Sequence, residues 1–169
     1  MKSNFNIKKL VLLSLFVALS FVGANIKIFG SIAFDAMPAY FATIFMGPIS
    51  GAIVAVIGHL FTALLSGFPL SLPVHLIISV NMAITMVATF YAYKLLRKNN
   101  FLIAAFVAII VGTLFNGPIS TLVLLPILGD MVYGLIPILT VVSAINVLLA
   151  FMVYYFIPKA IKEKYKGNL

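Results

Sequence analysis

The chain has no cysteine and only three acidic residues, Asp35, Asp130 and Glu163, among its 169. Without cysteine there are no disulfides, no thiolate metal sites and no cysteine nucleophile. Charged residues make up 8% of the chain, against about 25% in an ordinary soluble domain. Catalytic signatures are absent too. There is no G-x-x-x-x-G-K-[ST] phosphate loop, no H-E-x-x-H helix and no G-x-S-x-G turn. No carboxylate falls deep within an apolar run, so proton coupling would have to rest on His59. No internal repeat is visible, which disfavours an inverted-repeat carrier.

What the sequence does have is apolar residues, at 64%, and a mean hydropathy of +1.24. Those values describe an all-α integral membrane protein, and the length allows one domain over residues 1–169. Ten of the eleven basic residues fall in three clusters: Lys2/Lys8/Lys9, Lys94/Arg97/Lys98 and Lys159/Lys162/Lys164/Lys166. The net charge of +8 is no nucleic-acid signature, because these residues flank apolar runs. Basic short loops stay on the cytoplasmic side of a membrane, so all three clusters are expected inside.

Spans of about 20 apolar residues are expected at Leu10–Ile28, Pro73–Tyr93, Phe101–Leu125 and Met131–Ile157. The stretch from Phe34 to Leu65 is too long for one span, and Gly47-Pro48 reads as a turn inside it. Parity requires both halves, Phe34–Met46 and Gly51–Leu65, to cross. Six transmembrane helices follow, with both termini in. Lys8-Lys9 ahead of Leu10–Ala24 mimics a secretory signal, but the parity count keeps that segment as the first span. The outer connections, near 29–33, 66–72 and 126–130, are apolar for loops and look folded back over the bundle.

Polar residues recur at helical spacing within the apolar runs. His59, Thr62 and Ser66 share a face, as do His75 and Ser79. Asn81 and Thr85 form a second stripe, Thr113, Asn116 and Ser120 a third, and Thr140, Ser143 and Asn146 a looser one. Counting about 1.5 Å per residue puts Asn25 and His75 near the outer end. Asn81 and Asn116 then lie in the outer third, His59 at mid-depth and Asn146 deeper. The stripes either join helices through hydrogen bonds or line an outward-opening pocket. On the pocket reading, Asn81 and Asn116 matter more for binding than Asn146. Asp35 is a substrate contact or the N-cap of the second helix. Lys27 pairs with Asp35, meets lipid headgroups or meets substrate. Two histidines make a thin metal set, so no metal or other cofactor is expected. Small residues at Ser14/Ala18 and Ser20/Ala24 allow a helix to approach the first span closely, from within the chain or from a partner.

Residues 34–83, and above all G-H-L-F-T-A-L-L-S-G-F-P-L (Gly58–Leu70) with P-V-H-L (Pro73–Leu76), resemble the S components of energy-coupling factor (ECF) vitamin transporters. They are most similar to the S components assigned to alpha-ribazole, a cobalamin precursor. The resemblance covers the whole chain. It implies the ECF S-component fold, a vitamin substrate, and partnership with a membrane coupling subunit and two ATPases in the cell membrane. It also implies that the first helix docks through an A-x-x-x-A motif, which reads Ser14-Leu15-Phe16-Val17-Ala18 here. The implied activity is substrate binding and not enzymatic. The expected substrate-binding set is Asn25, Phe29, Asp35, Tyr40, His59, Thr62, Phe68, His75, Asn81 and Asn116. Phe29, Phe34, Tyr40 and Phe68 are the expected aromatic walls. Riboflavin or another aromatic vitamin is the alternative substrate. A stand-alone carrier or channel, or an intramembrane enzyme using His59 and His75, are the alternative classes.

Overall fold

A computed structural model describes residues 7–165 of the chain. Lys2 and Lys166 of the basic clusters lie outside them. Nine helices and one short β-hairpin follow in order among the described residues. The five long ones are α1 (Ile7–Ala24), α3 (Pro48–Leu65), α4 (Leu72–Leu96), α5 (Phe101–Leu114) with its continuation, and α8 (Met131–Phe156). Each is long and apolar enough to cross a membrane, with the α5 stretch counted to Leu128. The shorter ones are α2 (Ala36–Met46), α6 (Ser120–Leu122), α7 (Leu125–Leu128) and α9 (Lys159–Tyr165).

The first span is shorter than the sequence suggests. The helix stops at Ala24, and β1 (Lys27–Phe29) pairs antiparallel with β2 (Ile32–Ala33). Gly30 turns the hairpin at φ 52°, a conformation that costs glycine little. The hairpin is pinned to the end of α3. Lys27 Nζ donates to the Leu65 carbonyl (3.0 Å) and Ser66 Oγ to the Gly30 carbonyl (3.2 Å). Lys27 thus takes an orphan carbonyl at a helix C-terminus and does not pair with Asp35.

Helix α2 has 11 residues, or about 17 Å, well short of a bilayer core of about 30 Å. Every one of its residues except Met37 is buried. Neighbouring helices, not lipid, surround it, so its length need not match the membrane. Gly47 (φ 102°) ends α2, and Pro48 opens α3 in the first turn, where its missing N–H is harmless. The two helices then pack closely, since a side chain at Gly51 would overlap Thr43. Likewise a side chain at Gly58 would overlap Ser20 of α1.

The last long helices show the same local logic. Asn100 Oδ1 caps α5 by accepting from the backbone N–H of Leu102 (2.8 Å) and Ile103 (3.2 Å). Pro118 then interrupts it. Proline has no N–H, and its ring crowds the carbonyl one turn back. The helix widens to a π turn over Phe115–Ile119. At the end nearest Lys94–Lys98, rings fill the interior: Phe41 stacks on Phe45 (5.4 Å) and Tyr93 meets Phe151 edge-on (5.4 Å). The opposite end is not filled in this way, and there a cavity opens.

Candidate functional site

The cavity encloses about 140 Å³. It lies among the hairpin, the start of α2, α3, the N-terminal half of α4, the π turn with α6, and α8. Its apolar wall is aliphatic: Ile32, Leu70, Ile78, Leu124, Leu135 and Leu139, with Met82. Its polar groups come from Ser31, Asp35, His59, Asn116, Ser120, Thr121, Ser143 and Asn146. Pro69 and Leu70 close one side from the loop between α3 and α4. In that loop Phe68 (φ 52°) and Ser71 (φ 83°) sit in the left-handed region without being glycine. Such backbone costs of order 1–3 kcal/mol per residue and persists only where surroundings impose it.

Asp35 is the hub. It precedes α2 at the capping position, yet its side chain makes no capping bond. The carboxylate turns inward instead. Oδ2 accepts from Thr62 Oγ1 (2.7 Å) and lies 3.5 Å from His59 Nδ1. The backbone carbonyl of Asp35 accepts from Ser20 Oγ (2.6 Å). His59 Nε2 in turn meets His75 Nδ1 at 3.1 Å. A carboxylate and two imidazoles thus form one chain from the cavity wall into α4. Phe68 packs its ring against His75 at 5.9 Å. Burying a carboxylate is costly unless it is hydrogen-bonded, and Thr62 and His59 supply that need.

On the far wall Asn146 donates from Nδ2 to the carbonyls of Val142 (2.9 Å) and Ala33 (3.4 Å). Both neighbours are acceptors, so the amide orientation is forced. Oδ1 is left buried without a protein partner. The Ala33 bond also ties α8 to the hairpin that leads into Asp35. Ser143 Oγ donates to the Gly112 carbonyl (3.4 Å), and Thr121 Oγ1 to the Gly117 carbonyl (2.7 Å).

Of the residues expected from sequence, Asp35, His59 and Asn116 line the cavity, and Thr62 and His75 stand directly behind. Tyr40 does not line it. That residue is fully buried in the helix packing, where its hydroxyl donates to the Gly112 carbonyl (3.0 Å). Asn25 is exposed and returns Nδ2 to the Phe21 carbonyl (2.8 Å) of its own helix. Asn81 stands half-buried off the cavity, with Nδ2 unpartnered. Phe34 faces a separate apolar groove bordered by Phe16, Met37 and Leu149. The side chain of Phe29 lies outside the described residues. The expected aromatic wall is therefore aliphatic among the described residues.

Asn146, Ser143, Ser120 and Thr121 were not in the expected set. The Thr140/Ser143/Asn146 stripe is visible in the sequence, but a depth count of about 1.5 Å per residue sets Asn146 apart from Asn81 and Asn116. That count assumes straight, full-length helices. The hairpin meets Asn146 through Ala33 and so brings it to the cavity beside Asp35.

Helix α1 resolves its two small-residue pairs in opposite directions. Ser20 and Ala24 are buried against α3 and the hairpin end, while Ser14 and Ala18 are exposed. Neither curated proteins nor solved structures give a significant match to this chain. A family model does: that of the ECF transporter, substrate-specific component, matches residues 8–158. With that match spanning nearly all of the described helices, the chain belongs to the ECF transporter substrate-specific component family.

Proposed function

We propose that this chain captures a vitamin or vitamin precursor outside the cell and releases it inward when docked on an ATP-driven coupling module. Family membership makes it a membrane transporter subunit and not an enzyme. The observation that carries the capture reading is the cavity, where aliphatic walls converge on Asp35, Asn116 and Asn146 at the end away from Lys94–Lys98. A mostly apolar site with a few placed polar groups is the usual form of a small-molecule pocket. The module supplies what the chain lacks, since its sequence has no nucleotide-binding loop.

The substrate in this reading is alpha-ribazole, on the likeness of Gly58–Leu70 and Pro73–Leu76. Its flat benzimidazole would lie against Ile32, Leu70, Ile78 and Met82, and its ribose hydroxyls would meet Asp35 and Asn146. Six crossings, with both termini and residues 94–98 in the cytoplasm, complete the reading. The partners are a membrane coupling subunit, met by the exposed Ser14/Ala18 face, and two ATPases.

Calorimetric titration of the purified protein with alpha-ribazole tests this reading. Saturable one-to-one binding is expected, with riboflavin weaker by at least tenfold. No binding of alpha-ribazole would remove it as the substrate.

A further inference from the structure

The hydrogen-bonding character of the cavity is unbalanced. Thr121 and Ser143 spend their hydroxyl protons on the Gly117 and Gly112 carbonyls. Asn146 spends both amide protons on the Val142 and Ala33 carbonyls and leaves Oδ1 without a partner. Asp35 has no proton to give as a carboxylate, and both of its side-chain contacts fall on Oδ2. His59, the one basic side chain in the wall, has Nδ1 at Asp35 and Nε2 at His75. What Thr121, Ser143, Asn146 and Asp35 offer a ligand is therefore lone pairs, His59 has both ring nitrogens engaged, and Ser31, Asn116 and Ser120 keep donors for it. Among the described residues no lysine or arginine lines the cavity. The nearest on the hairpin, Lys27, is held on the Leu65 carbonyl.

Two of these acceptors belong to the same stretch of wall. Asn146 is bonded to Ala33, and Asp35 follows two residues later. An acceptor buried without a donor is costly, so a ligand that brings two neighbouring N–H or O–H groups gains twice. An anion would bring more acceptors to a wall of acceptors, with no free cation to offset it.

We propose that the cavity selects uncharged or singly cationic molecules that carry two adjacent hydrogen-bond donors, such as a vicinal diol or an amino-bearing ring edge, and rejects phosphorylated or carboxylated ones. The selection rests on the capture reading above, because it assigns the ligand class of that same cavity. A nucleoside-like compound meets the requirement, and its 5′-phosphate does not.

The test equilibrates the purified full-length protein with a protein-free bacterial metabolite extract and identifies the retained compounds by mass spectrometry. Expected retained compounds lack phosphate and carboxylate and carry at least two N–H or O–H donors. Each should bind at least 100-fold more tightly than its phosphorylated counterpart. Asp35→Asn, which replaces an acceptor oxygen by a donor, should reduce retention at least tenfold. The wild-type arm needs no variant, so the outcome does not depend on how that variant folds. A retained compound that carries a phosphate or a free carboxylate would overturn this selection while leaving the capture reading intact. Retention by folded Asp35→Asn at the wild-type level would do the same. Failure to retain any small molecule would overturn both.

Discussion

At the scale of single residues, the account turns on which polar groups face the cavity and which face another helix. Asn146 faces both, and its Oδ1 has no protein partner. Losing a hydrogen bond to a buried ligand group costs about 1–3 kcal/mol, or about 5- to 150-fold in affinity. Asn146→Ala is therefore expected to weaken substrate binding within that range, and Asn81→Ala to leave it within about twofold. Calorimetry on the two variants reads the difference, and the reverse order would move the binding site away from this cavity. Sequence spacing made the polar stripes legible, and with them His59, Thr62 and Asn116, while Asp35 was legible as an acidic residue at the start of the second helix. Spacing alone could not say which way Asn81 and Tyr40 point, because a stripe at helical period looks the same whether it meets a ligand or a neighbouring backbone. The Tyr40 bond to Gly112, across 72 positions of sequence, has no local signature.

At the scale of elements, helix α1 separates two roles by face. Ser20 is wedged between the Asp35 carbonyl and Gly58, so Ser20→Leu overpacks a closed contact. Overpacking costs typically 1–3 kcal/mol, and a clear drop in thermal stability is expected in detergent. Ser14 and Ala18 are exposed, and Ser14→Leu or Ala18→Leu should leave stability within about 0.5 kcal/mol. Those two variants should instead lose co-purification with the coupling subunit, because added bulk prevents close helix approach. Unchanged complex formation in both would place docking on another face. Helix α2 carries the topology. If it crosses, a cysteine introduced at Asn99 stays protected from an impermeant thiol reagent added to intact cells, a clean readout in a chain without cysteine. Labelling there from outside would make the crossing number odd between the basic clusters. The helix centres and the Gly47-Pro48 turn were legible because hydropathy and turn residues are local signals. The hairpin after Ala24 and the π turn at Pro118 were not, since Ile26–Ile28 read as a continued apolar run and a proline does not reveal how its helix adapts.

At the scale of the whole molecule, the chain pairs a cavity at one end with closely packed rings at the other. Composition alone made the membrane class legible, and the sequence carries no phosphate-loop motif. The ligand was not legible, because aliphatic walls serve many flat molecules and the unpaired lone pairs emerge only from tertiary hydrogen bonds. The central claim is that this protein binds substrate by itself but moves it only with an ATP-driven partner. Uptake of radiolabelled substrate into ATP-loaded liposomes tests that claim most directly, with the chain reconstituted alone and with the coupling subunit and ATPases. The account predicts binding without accumulation for the chain alone, and ATP-dependent accumulation for the full assembly. Accumulation above the external concentration by the chain alone would contradict it.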